Sequence, residues 1–183
     1  MPSIIVRKRD GASRVLNAAP FSYEDVLQRN ISELPNLIPL QTVSDEAVSH
    51  LTIGVEWPAG SGAADVVLIG SDGILTIVET KLKRNPQARR EVIAQLLEYA
   101  AYLSEWTIWE VIRRAEEFFQ TDKAFPDHRG KTVNEVLRLF LEDTDEAVES
   151  FKGKVEHNLR QGRIRLIVAV YVVSNFRTFR PFC

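Results

Sequence analysis

The apolar positions of the chain change period several times, and each change marks an element. Between 22 and 34, Val26, Leu27, Ile31 and Leu34 recur at helical spacing behind Ser22, a residue suited to a helix cap, and Pro35 and Pro39 stop that helix. Ahead of it, Ile4, Ile5 and Val6 sit among Arg7, Lys8, Arg9 and Arg14, the pattern of an edge strand or a basic arm. Three runs rich in Val, Ile, Leu and Thr follow at 50–57, 64–70 and 74–81. They are parted by Pro58–Gly62 and Ser71-Asp72-Gly73, which predicts an antiparallel meander.

Asn85-Pro86 reads as the cap and first position of a long amphipathic helix carrying Ala88, Val92, Leu96, Tyr99 and Leu103. More helix is expected at about 107–120, 131–142 and 144–160. Ile164–Val173 is an apolar run without alternation, which predicts a strand covered on both faces. The closing NFRTFRPFC, with its phenylalanines, suggests that the chain is the front piece of something longer. The order helix, three strands, helix, helical insertion, strand defines an α/β fold with a mixed central sheet flanked by helices. With 183 residues, no repeat and no long linker, one domain over 1–183 is expected, its helical insertion at about 107–160.

Charge narrows the function. Lys and Arg number 23 against 25 Asp and Glu, a net charge of −2, so any nucleic-acid binding has to come from a local patch. The single cysteine, Cys183, excludes a disulfide framework and a cysteine-based zinc site, and His50, His128 and His157 are too scattered to announce a metal site. No apolar run reaches the roughly 18 residues a bilayer span needs, and the start lacks a signal-peptide core. A cytoplasmic protein without a membrane partner is expected; the oligomeric state is left open, a homodimer included.

The candidate chemistry lies in the meander. Between Trp57 and Val78 the only charged residues are Asp65 and Asp72. Asp72 belongs to an Asp-Gly turn, whereas Asp65 stands among Ala63, Ala64, Val66, Val67, Leu68 and Ile69. A three-residue loop with Gly73 in the left-handed position pairs Gly70 with Ile74 and puts Asp65 opposite Glu79. Two carboxylates so opposed repel, and something positive should sit between them. Lys81, two residues beyond Glu79, shares their face. Asp65 and Glu79, with the Thr80 carbonyl nearby, suit magnesium or manganese, and the lysine can orient an attacking water, a set fit for phosphodiester hydrolysis. About one acid-x-Lys triplet is expected by chance in such a chain, so the position of Glu79-Thr80-Lys81 at the end of an apolar strand carries the argument. The competing explanation is a structural buried ion pair.

These residues resemble the signature of the PD-(D/E)xK nuclease superfamily, an acid, a hairpin and then Glu-x-Lys, although Ala64 replaces the usual proline before the first acid. The element order is similar to that restriction-endonuclease-like core. Gln95 and Tyr99 resemble the Gln-x-x-x-Tyr motif of RecB-like nucleases, which implies contact with the substrate strand. Glu24 resembles the early helix acid that reaches the metal in many members, with Glu33 as its competitor; the stretch around it also looks like relatives of the endonuclease NucS. The resemblance implies a magnesium- or manganese-dependent deoxyribonuclease, an endonuclease by analogy, acting on DNA through Asp65, Glu79 and Lys81. Lys83 and Arg84, with Arg89 and Arg90, form a basic rim suited to phosphates. The alternative is a non-catalytic module on the same scaffold that binds nucleic acid or a protein.

Other signals point elsewhere. Gly60-Ser61-Gly62 lacks the Gly-Lys-Ser/Thr of a phosphate loop, and no serine-hydrolase elbow, zinc-protease or dinucleotide pattern occurs. Trp106, Trp109, Phe118 and Phe119 are expected to pack, and the acidic run 142–146 to cap a helix.

Overall fold

The structure, a computed structural model, describes residues 3–7, 13–17, 24–38, 48–82, 86–142 and 145–171. β1 (Ser3–Arg7) and β2 (Ser13–Asn17) form a two-stranded antiparallel ribbon, two strands where the sequence suggested one or an arm. α1 (Glu24–Glu33) follows and gives way to a 3-10 turn at Pro35–Leu37, where Pro35 ends the α-helical hydrogen bonding as expected; Pro39 lies outside the described residues. A four-stranded mixed sheet comes next, in the order β3 (His50–Ala59), β4 (Gly62–Gly70), β5 (Leu75–Leu82) and β6 (Ile164–Tyr171). The first three are antiparallel and β6 runs parallel to β5. Between β5 and β6 lie α2 (Pro86–Ser104), α3 (Ile108–Phe119), α4 (Val133–Leu141) and α5 (Asp145–Arg160), a crossover long enough to bring a parallel strand alongside.

Helices cover both faces. On one, Ile31 and Leu27 of α1 pack on Val66, Leu68 and Val78. On the other, Val67, Ile69, Leu75 and Ile77 meet apolar side chains of α2 to α5, so the helical insertion supplies half of the main core. α3 and α4 start where the sequence pattern Thr-x-x-Glu allows reciprocal capping. Thr107 and Thr132 accept from the backbone of Glu110 and Glu135, whose carboxylates accept in return from the threonine N–H groups. α5 opens on Asp145 and Glu146, the acidic first turn read from the sequence.

Three expectations are corrected. The segment 58–62 is not a five-residue loop: Pro58 and Ala59 extend β3, Gly62 starts β4, and Gly60-Ser61 alone makes the turn, with Gly60 at φ 64°. Pro58 is tolerated because β3 is an outer strand of this sheet. β6 is not covered on both faces, since Leu166, Val168 and Val170 stand 37–45% exposed among the described residues. Trp109 does not pack but is 75% exposed, whereas Trp106 contacts Trp57 and Tyr102.

At the end of the sheet away from the candidate site, the β4–β5 turn is stapled in place. Asp72 pairs with Arg165 of β6 through both guanidinium ends and caps the Ile74 N–H, and Asn158 of α5 donates to the carbonyls of Asp72 and Gly73. His50, 5% exposed, lies beside this pair with Nε2 unpartnered. Burial and the Arg165 charge hold its imidazole below the ordinary 6.5, against the opposing pull of Asp72. On acidification the unfolded chain therefore takes up this proton first, and stability declines as pH falls through 6.5. We expect His50→Gln to flatten the dependence of the urea midpoint on pH between about 7 and 5. His128, held low by burial in the same way, retains its own share; an unchanged slope would remove His50 from this account.

Candidate functional site

The left-handed Gly73, at φ 75°, closes the β4–β5 hairpin as its sequence implies, and the Gly70 N–H donates to the Ile74 carbonyl at 3.0 Å. The register runs from Ile69–Leu75 to Val66–Val78, so the next pair in line is Asp65 and Glu79. There the two strands part. β4 continues along β3 back to Gly62, while β5 continues along β6 as far as Leu82. In a regular ladder the Thr80 N–H would go to a β4 carbonyl; here Asp65 Oδ2 takes it at 2.7 Å and takes the Thr80 hydroxyl at 2.7 Å as well. An extended residue sends N–H and C=O to the same side, so the Thr80 carbonyl also faces this fork.

Glu79 lies in the fork almost fully enclosed, its side chain 2% exposed. Oε1 is 2.9 Å from Lys81 Nζ, and Oε2 is buried without a hydrogen-bond partner. Burial is the strongest influence on this carboxyl and pushes it above its usual range; the hydrogen bond and charge of Lys81 and the backbone N–H of Asp65 pull against the rise, and the nearby Asp65 charge adds to it. Burial likewise opposes the charge on Lys81, but the Glu79 hydrogen bond and the charges of Glu79, Glu24 and Asp65 outweigh it and raise its pKa. Lys81 Nζ also stands 3.9 Å from Glu24 Oε2, in the first turn of α1.

The structure thus brings Asp65, Glu79, Thr80, Lys81 and Glu24 together from β4, β5 and α1. Glu24 meets the others through Lys81, and Glu33, its competitor, is exposed at the far end of α1. Gln28, one turn beyond Glu24, carries no mark in the sequence pattern, yet its Nε2 donates to the Asp65 carbonyl at 2.9 Å. The i, i+4 spacing from Glu24 is the signal that could have found it. Gln95 Nε2 bonds Tyr99 Oη at 2.5 Å rather than a carboxylate. Tyr99 is 2% exposed, so it offers no surface to a substrate; its hydroxyl sits 2.6 Å from where a Cβ on Gly62 would lie, which is why glycine starts β4. Gln95 keeps part of its surface open. Arg90 is exposed, while Lys83 and Arg84 lie outside the described residues.

Among the described residues no three of His, Cys, Asp and Glu converge into a ready-made ion cage. A cation in the fork would have two carboxylates, a backbone carbonyl and water, the sparse set that suits a small hard ion. No helix among the described residues is long and apolar enough to cross a membrane. Comparison with protein-family models, curated proteins and solved structures gave no match.

Proposed function

We propose that this chain is a metal-dependent nuclease that hydrolyses phosphodiester bonds in DNA, as an endonuclease, on a restriction-endonuclease-like core of the RecB-like kind. The observation that carries the reading is the buried, unpartnered Glu79 Oε2 beside the Asp65 carboxylate. A buried carboxylate oxygen without a donor is costly, and in a fork shared with a second acid a cation is what satisfies it. Asp65, Glu79 and the Thr80 carbonyl would hold magnesium or manganese, which supplies charge neutralisation at the phosphorus-bound oxygens.

The remaining roles fall to the chain's own groups. Lys81, positively charged and only partly enclosed, would orient the attacking water. Thr80 holds the Asp65 carboxylate through two hydrogen bonds and Gln28 holds the Asp65 backbone, so the acid is aimed before substrate arrives. Gln95, itself fixed by Tyr99, would touch the substrate strand, and Lys83 with Arg84 would take phosphates.

Purified protein with magnesium or manganese should nick plasmid or branched DNA and lose this activity in chelator. Inactivity on duplex, single-stranded and branched DNA and on RNA, with either ion, would overturn the reading. Chelator-resistant DNA binding without cation uptake would favour the non-catalytic module instead.

A further inference from the structure

Lys81 stands between two carboxylates, 2.9 Å from Glu79 Oε1 and 3.9 Å from Glu24 Oε2. The two acids differ sharply in setting. Glu79 is walled in at 2% exposure, whereas the Glu24 side chain is 45% exposed on the first turn of α1. A divalent ion entering the fork competes with the ammonium for Glu79, because two cations on one enclosed carboxylate repel strongly. Glu24, on the other side of the same amine, is placed to receive it.

We propose that Lys81 is the site's own counter-ion, seated on Glu79 while the fork holds no metal and passed to Glu24 when a divalent cation takes Glu79. This rests on the nuclease reading above and assigns Glu24 a different role from metal ligation: it serves the lysine. Lys81 then has two seats. On Glu79 it satisfies a carboxylate that has few other donors, with Oε2 unpartnered beside it. On Glu24 its amine stays at the mouth of the fork, where a water for attack would lie. Uptake of the ion and placement of the lysine become one coupled event rather than two independent ones.

The test is a double-variant cycle read by manganese affinity in calorimetry, with no activity measurement needed. Lys81→Met removes the competing charge and should bind manganese about tenfold tighter than wild type while cleavage is lost. Lys81→Gln, which can still donate to Glu79 Oε1, should tighten binding too and serves if Lys81→Met does not fold. Lys81→Arg keeps the charge and should not tighten it. Glu24→Gln should weaken binding in wild type, where the lysine loses its second seat, yet change it by less than about twofold in the Lys81→Met background.

Binding that is equal or weaker in folded Lys81→Met and Lys81→Gln would overturn the proposal and leave the nuclease reading standing. So would a Glu24→Gln penalty of equal size in both backgrounds, since Glu24 would then act on the ion directly. Absence of manganese uptake by wild type and by all variants would overturn this proposal together with the site reading beneath it.

Discussion

Glu79→Gln should cost about a thousandfold or more in cleavage rate while the folded protein becomes no less stable. The two halves of this expectation come from the same burial. In the proposed reaction the carboxylate charge would hold a cation against a phosphate, and an amide of the same shape cannot supply it. In the metal-free protein, however, that charge is enclosed at 2% exposure, opposite Asp65, with one oxygen lacking any donor. The substituted amide would keep an acceptor for Lys81 and would remove the cost of burying a charge, which pushes the wild-type carboxyl up from its usual range. Single-turnover cleavage and thermal unfolding in chelator, run on both proteins, read the two effects separately. A variant that keeps wild-type cleavage would sink the assignment; one that unfolds more easily would mean that Glu79 is held for stability, as a structural ion pair with Lys81.

Arg165→Met is expected to be strongly damaging although it lies away from the site, costing about 2–3 kcal/mol at neutral pH, or roughly 5–10 °C in melting temperature. The methionine keeps much of the aliphatic stem, so the loss falls on the charge. Asp72, with 26% of its side chain exposed, would be left beside Gly70 without its guanidinium. In wild type, burial tends to raise the Asp72 carboxyl, but Arg165 and the Ile74 N–H overcome this and hold it below its ordinary 3.8. A depressed acid contributes stability that is complete above its unfolded value and lost as pH drops through the folded one. The difference between Arg165→Met and wild type should therefore be full at pH 7 and narrow once the pH is taken below 3.8. Urea denaturation at both pH values checks this, and a pH-independent penalty would point to lost packing instead.

The parts of this architecture legible in the sequence are those written in local chemistry. Asp72-Gly73 sets the hairpin loop, because only a residue without a side chain takes φ 75° at little cost, and the register as far as Val66 opposite Val78 follows by counting, with Asp65 and Glu79 next in line. Thr-x-x-Glu stands at two helix starts, a local signal that apolar periodicity alone passes over, and Pro86 stands first in its helix. What stayed hidden depends on groups far apart in the chain. The fork opens where a side-chain oxygen displaces a backbone one as acceptor for Thr80, and no local pattern announces that exchange. Ile164–Val170 is apolar at every position but Arg165, so it carries no parity to reveal which face helices leave open. Gln28 looks like any polar helix residue until Asp65, 37 positions on, places a carbonyl against it.

β3 has a further consequence through its irregularities. Its register slips between Thr52 and Gly54, Glu56 adopts a left-handed backbone at φ 51°, and Pro58 has no N–H to give. An incoming strand from another molecule would need an unbroken row of donors and acceptors along this rim, and it meets a bulge, a twist and a missing donor in quick succession. The flank of the sheet nearest the turn at Gly60 is thereby shielded against edge-to-edge aggregation by backbone shape, with Lys123 paired to Glu56 at the same rim.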